Sequence, residues 1–387
     1  MLPLAGLLVA VFIDLFGLGV IRPILPLYAQ EVFGVDVLRV SWIPAAFGIG
    51  KLLADVPAGL LMDNLGRQRL MAVGLVLVAT VDLLSAAESA FPRFLLWRSL
   101  AGLGFGLFAT TAATIVLDLA PSRARGRLMG SYLLVGDVGA VFGAGAGGWI
   151  YERLGTRAPF VLKALCAGTA GVLAGRIRSG WAAHERRAQA GLRAAIGLPG
   201  LVSISLVSMT LFMADVGILA TLFPLFLHSR GLAPGVIGLV VALVVAVQVG
   251  ALALGSRLAD RLGRVRILLL GLGLYAIGLA LLSIVRSSAP TLSVAILMAV
   301  GSGLARAIPA AVVGDLAEPP LRGAAMGVFR TFTDIGMIGG PGLLGALAGK
   351  SYPFAFLAAA GFLIVNMAML IPAQNRFIVA EDRKART

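Results

Sequence analysis

Apolar residues fill long unbroken stretches of the chain, and polar residues collect in the short breaks between them. Stretches of roughly 20 residues, enough to cross about 30 Å of hydrocarbon, recur near 4–28, 40–62, 69–88, 91–117, 128–150, 158–176, 200–227, 233–255, 267–286, 290–314, 324–348 and 352–372. The pattern predicts an all-α membrane protein with 12 transmembrane helices. The alternating segments of about ten residues that mark a membrane β-barrel are not what the chain presents. The first stretch begins at Leu4 without a basic flank and holds Asp14, so it reads as a retained helix and not as a cleaved leader.

Basic residues give these helices a direction. The even-numbered connections and the C-terminal tail hold 19 lysines and arginines, among them Arg123, Arg125, Arg127, Arg186 and Arg187; the odd-numbered connections hold 7, such as Arg39, Arg93 and Lys350. By the positive-inside rule both termini face the cytoplasm; the expected location is the plasma (inner) membrane. The longest connection, 177–199, is basic and separates two sets of six helices. The expected organisation is therefore an N-terminal bundle at 1–176, a cytoplasmic linker at 177–199, a C-terminal bundle at 200–372 and a cytoplasmic tail at 373–387. Within the linker, AAHERRAQAGLRAAIG fits either an amphipathic surface helix or a solvated connector.

Composition narrows the function classes. The chain is 59% hydrophobic and 13% charged, against about 25% charged for soluble domains. A single cysteine, Cys166, excludes a disulfide framework, a thiolate zinc site or a CxxC redox pair, and two histidines, His184 and His228, leave little for imidazole metal sites. No cofactor or metal is expected. The net charge of +14 lies outside the spans, where it suits anionic lipid headgroups and not nucleic acid. No zincin, P-loop or nucleophile-elbow motif supports an enzyme or ATP-driven pump.

The two halves repeat each other at a constant offset. Asp63, Gly66, Arg67 and Arg69 match Asp260, Gly263, Arg264 and Arg266; further on, Gly104, Gly106, Asp118, Asp137, Gly139 and Gly143 match Gly301, Gly303, Asp315, Asp334, Gly336 and Gly340. Ungapped coincidences among Asp and Arg are not cheap in this composition. A parallel repeat of six-helix halves is an architecture of secondary transporters, with the substrate site near the midplane between them.

Particular segments carry a family resemblance. GLLMDNLGRQRL at 59–70 resembles the loop motif between the second and third helices of the major facilitator superfamily, and SRLADRLGRVRI at 256–267 is its copy, with Ser256 for the first glycine. LLWRSLAGLGFG at 95–106 resembles the superfamily's fourth-helix motif. GAVFGAGAGG at 139–148 is similar to the fifth-helix motif of the drug/proton antiporter branch, although Ala144 replaces its proline, and GMIGGPGLLG at 336–345 carries a proline at Pro341. IDLFGLGVIRPILPLY at 13–28 resembles that branch's opening helix.

The resemblance implies the major facilitator fold, two pseudo-symmetric six-helix bundles, with a small-molecule substrate, protons as coupling ion and a monomeric state. It also implies a gating latch at Gly59, Asp63, Gly66, Arg67 and Asp118, repeated at Asp260, Arg264 and Asp315, in which Arg67 pairs with Asp118 and Arg264 with Asp315. Asp63 is placed to accept from the N-terminus of the eleventh span. The small-residue runs Gly139, Gly143, Gly147 and Gly336, Gly340, Pro341 permit close helix approach and are expected to form a hinge or seal between the halves.

Ionisable residues inside the spans are the candidate machinery, because each costs about 2.5–3.5 kcal/mol or more at the bilayer centre without a partner. They are Asp14, Arg22, Lys51, Asp55, Asp82, Arg98, Asp137, Lys163, Asp215, Arg306, Arg330 and Asp334. Lys51–Asp55 and Arg330–Asp334 stand four apart, one helical face each. Asp14 is the leading protonation site, with Arg98 or Arg22 as its expected counter-charge; Lys163, on a peripheral helix, is expected to pair with Asp82 or to snorkel. Phe12, Phe16, Phe105, Phe212 and Phe226 offer an apolar wall. Two functions remain open: proton-coupled export of amphipathic or drug-like compounds, or facilitated transport or symport of a sugar, metabolite or lipid by the same fold.

Overall fold

The computed structural model describes the backbone of residues 2–119, 125–176, 192–318 and 321–385; Asp55, Gly59 and Asp63 lie outside the residues whose side chains it describes, and most of the basic linker segment lies outside it altogether. The described residues are almost entirely helical, with no strand among them. In order they are α1 (Leu2–Ile21), α2 (Leu25–Phe33), α3 (Val37–Val40), α4 (Trp42–Leu65), α5 (Arg67–Ala87), α6 (Phe91–Leu119), α7 (Arg125–Leu154), α8 (Ala158–Ala174) and α9 (Leu192–Ile196). After these come α10 (Leu201–Ala214), a π-helical stretch (Asp215–Leu222), α11 (Phe223–Ser229), α12 (Pro234–Leu262), α13 (Arg264–Ile284), α14 (Ser288–Arg306), α15 (Ile308–Leu316), α16 (Arg322–Ala348) and α17 (Tyr352–Ala385).

Ten described stretches are long and apolar enough to cross a membrane. Of the 12 expected from the sequence, α8 is only 17 residues long, and α16 is diluted by glycines, threonines, Arg330 and Asp334. Three of the expected spans are broken. The first bends after Ile21, where Pro23 lacks an N–H and disfavours helix in the residue before it. The tenth breaks at Ala307 before Pro309. In the seventh, Pro224 withholds a backbone donor, and the preceding turns widen to π register; Thr221 Oγ1 accordingly donates to Val216 O, five residues back, at 2.7 Å. At the far end, α17 runs to Ala385, well past the expected boundary at 372.

The chain forms two compact units. One comprises Met1–Glu185 with Phe223–Leu243, the other Arg186–Leu222 with Val244–Thr387. In the first unit α1 packs on α7 and α8, and α6 on α4 and α5; in the second α10 packs on α16, and α13 on α14 and α17.

The sequence repeat is a repeat of backbone contacts. A methyl group added at Gly139 would stand 2.7 Å from Phe12 O, and one added at Gly336 would collide with Met209 O; Phe12 and Met209 are themselves partners at the repeat offset. Gly143 meets Phe16 O and Gly340 meets Met213, another matched pair. Gly74 crosses Gly104, as Gly271 crosses Gly301. Gly139, Gly143 and Gly147 seat α7 on α1, and Gly336 and Gly340 seat α16 on the seventh span; the same run of α7 also meets α12, with Gly148 against Pro234 O and Gly238 against Ala144 O. The helix backbones touch there because no side chain intervenes. Pro341 lies within α16, next to Gly340.

Candidate functional site

Asp14 sits two turns before the end of α1 and is wholly buried. Its counter-charge is Lys163 of α8, whose Nζ pairs with Oδ1 and also donates to Asp14 O at 3.2 Å. Oδ2 has no hydrogen-bond partner among the described residues. The expected Asp14–Arg98 and Asp82–Lys163 pairings are thereby exchanged. The rotation of α1 settles this, because it turns Asp14 toward α8, on which α1 packs far more extensively than on α6.

Arg98 of α6 instead reaches Asp82 of α5. Its Nη2 donates to Asp82 Oδ1 and to Ser85 Oγ, both at 2.6 Å. The guanidinium carbon lies 5.4 Å from the ring centroids of both Phe94 and Phe160, an arrangement that suits a cation with weak hydration. Tyr28 packs on the same two rings, at 5.6 and 4.6 Å, and donates to Ser85 O at 3.3 Å. Charge, hydroxyl and aromatic faces thus clamp α2, α5, α6 and α8 together. Just outside, Glu88 closes the turn into α6: it accepts from the N–H groups of Ser89 and Ala90 and from Trp97 Nε1, and pairs with Arg93 at 3.1 Å. The Ala90 N–H foremost, then the indole, hold its carboxyl below the usual glutamate range.

In the second unit the buried acid is Asp215, the first residue of the π-helical stretch. Ser302 Oγ of α14 donates to Oδ1 at 2.7 Å, and Gln248 Nε2 of α12 to Oδ2 at 3.3 Å; Gln248 also donates to Ser302 at 2.7 Å. Tyr275, fully buried on α13, adjoins the carboxylate. Among the described residues no ion pair joins Asp215; its hydrogen-bond donors Ser302 and Gln248 are neutral, and the Arg306 guanidinium acts on Tyr275 beside it. Arg306 lies over the Phe212 ring at 5.6 Å.

The loop motifs form matching ion pairs, Arg67 with Asp118 and Arg264 with Asp315, the latter reinforced by Arg264 donating to Ala311 O at 3.0 Å. Gly66 and Gly263, with φ of 80° and 92°, make both turns in a region that favours glycine. Asp260 is exposed. Of the other candidates, Arg22 and Arg330 are exposed, whereas Lys51, Asp137 and Asp334 are half-buried. Phe12 stacks on Phe16 and Phe105 packs on Phe47, while Phe226 lies under Arg230 at 4.6 Å.

Sequence reasoning left Ser302, Gln248, Ser85 and Tyr275 out of the site. Only Gln248 carried a usable signal: it stands at the repeat position of Lys51. The others are neutral residues that acquire a role only once the acid beside them is placed.

The profile of the Major Facilitator Superfamily matches residues 7–199 and 205–385. Multidrug resistance protein 2 of Bacillus subtilis (strain 168) is 27% identical over 380 residues, 94% of this chain and 93% of the relative. Quinolone resistance protein NorA of Staphylococcus aureus is 26% identical over 164 residues, 42% of this chain and 41% of its own. Among solved structures, a bacterial homolog of the human lysosomal transporter Spinster superposes with a TM-score of 0.83 at 15% identity, covering 98% of this chain and 97% of that one. The nucleoside transporter NupG gives 0.78 at 14%, covering 98% and 99%, which speaks to the fold alone.

Proposed function

Since this chain belongs to the Major Facilitator Superfamily, we propose that it exports small amphipathic, drug-like compounds in exchange for protons, working by alternating access. Membership makes it a multi-pass membrane transporter and not an enzyme. In this reading 12 spans form six-helix bundles at 1–176 and 200–372, and the linker and both termini are cytoplasmic in a plasma (inner) membrane. The working unit is a monomer.

The observation that supports proton coupling best is the pair of neutral hydrogen-bond donors that hold Asp215. A carboxyl held by a hydroxyl and an amide can gain or lose a proton without breaking an ion pair, and both donors remain compatible with either state. It stands at a π-helical break, a feature often found at functional sites. Asp14 is a second acid, neutralised by Lys163. The pairs Arg67–Asp118 and Arg264–Asp315 are proposed to part and re-form as the transporter alternates.

Support for the substrate class comes from the relatives named for multidrug and quinolone resistance. Symport of a polar metabolite is the second reading, favoured by structural likeness to a D-xylose–proton symporter at a TM-score of 0.74. Purified protein in acid-loaded liposomes separates the two. Antiport accumulates an amphipathic cation such as ethidium inside, and Asp215→Asn abolishes the accumulation; symport drives substrate out.

A further inference from the structure

The two buried ion pairs of the first unit look alike at their carboxylates. Each cation holds one oxygen, and Asp14 Oδ2 and Asp82 Oδ2 are both left without a hydrogen-bond partner among the described residues. Their cations differ. Arg98 also holds Ser85 and lies against two phenyl rings, so the Asp82 pair is built into a clamp of several helices. Lys163 offers one ammonium on a flexible stem, and that ammonium serves a single residue, binding both the carboxylate and the main-chain carbonyl of Asp14.

Room for the stem depends on a missing side chain. A methyl group at Gly17, nearly one turn after Asp14, would stand 2.9 Å from both Lys163 Cδ and Cys166 Cβ. Among the described residues, Tyr132 of α7 acts on Asp14 and Cys166, on the next turn of α8, lies by both partners, while Asp82 of α5 is held by Arg98.

We propose that Lys163 is the positioning residue of a second proton site, setting the range in which Asp14 Oδ2 takes up and returns a proton. The proposal rests on the antiport reading but is tested apart from it. Burial favours the protonated acid, and an ammonium in contact favours the carboxylate. At Asp14 these tendencies oppose each other, and Lys163 supplies the second. On loading, a proton bonds to Oδ2 while Oδ1 keeps its hydrogen bond to Nζ. The pair passes from neutral to singly positive, no other bond breaks, and no co-reactant enters. On release the same O–H bond breaks and the proton leaves alone.

The test is an infrared titration of protein in liposomes, following the protonated-carboxyl stretch that disappears in Asp14→Asn. In the wild type the band is expected to grow and fade reversibly with pH. In Lys163→Met its midpoint moves up by about one pH unit or more, tenfold or more in proton affinity. Lys163→Arg, which keeps the cation, restores a midpoint near the wild type. Gly17→Ala, which presses on the stem and on Cys166 Cβ without touching a charge, moves it part of the way. If Lys163→Met titrates as the wild type does, or if no Asp14 band titrates in any variant, the proposal is wrong. Failure of acid-driven ethidium accumulation with a normal titration would overturn antiport and leave the proton site standing. Should Lys163→Met not fold, Gly17→Ala and Lys163→Arg decide: a wild-type midpoint in the former, or a large shift in the latter, contradicts the account.

Discussion

Ser302 of α14 donates a hydrogen bond to Asp215 at 2.7 Å, tying the first residue of the π-helical stretch to a neighbouring helix. A hydroxyl can serve a carboxylate as donor and a carboxylic acid as donor or acceptor, so the contact survives a change of protonation. Asp215→Asn keeps the shape and removes the titration. It should abolish proton-driven transport while leaving substrate binding measurable by fluorescence quenching. Ser302→Ala should retain transport but move its pH optimum, because the acid then loses one of its two donors. An unmoved optimum would show that Ser302 only packs.

The Asp14–Lys163 pair predicts a pattern in stability. Removing one partner of a buried pair costs about 3–5 kcal/mol, because a buried charge is left alone. Lys163→Met and Asp14→Asn should each lower the melting temperature in detergent, and the double variant should melt closer to the wild type than the Lys163→Met single. Additive losses would mean that the two residues do not compensate each other.

Glycine contacts predict position-specific sensitivity. Gly143→Val and Gly340→Val would drive side chains into the backbone of the first and seventh spans, so both should cut the yield of folded protein. Gly339→Ala should be tolerated, since nothing lies within 4 Å of the added methyl. Size-exclusion profiles of the three variants check this. Equal behaviour would deny that the repeat is a packing repeat.

Glu88 gives a pH dependence with a defined sign. Its carboxyl is held below the usual range by the Ala90 N–H first and the Trp97 indole second. A depressed folded-state value means that the stabilisation is fully present above the unfolded value of about 4.3 and is lost as pH falls through the folded one. The melting temperature of the wild type should therefore exceed that of Glu88→Gln at neutral pH, and the two should converge on acidification. A gap that persists into strong acid would assign the effect to packing.

The loop pairs predict matched transport defects. Arg264→Gln or Asp315→Asn, and separately Arg67→Gln or Asp118→Asn, should slow transport while substrate binding persists. The exchange Arg264→Asp with Asp315→Arg should recover part of the rate. Unchanged transport in all the single variants would reduce the motif to a turn.

Most of the helices and both loop motifs were legible in the sequence, because apolar run length and a fixed-offset repeat are local properties. The pairing of Arg67 with Asp118 was expected from the resemblance of the loop motif, and the two side chains do pair. Partners within the hydrocarbon were not legible. Whether Asp14 meets Arg98 or Lys163 depends on the rotation of α1 about its axis, and spacing along one helix does not fix the face that a neighbour presents. The π register at Asp215 was hidden for a related reason: it shifts the phase of the seventh span within a few residues, and Pro224 alone does not distinguish a kink from a widened turn. The glycine runs were legible as places where helices come close, but small residues do not encode which helix they touch: Gly143 meets α1, whereas Gly148 meets α12 at Pro234 O.

The central claim, exchange of protons for an amphipathic substrate, is tested most directly by ethidium accumulation in liposomes holding only this protein, acid inside and neutral outside. The account predicts uptake against the ethidium gradient that collapses when a proton–potassium exchanger dissipates the pH difference and is absent in Asp215→Asn. Uptake that ignores the pH difference, or ethidium driven outward by it, would contradict the account.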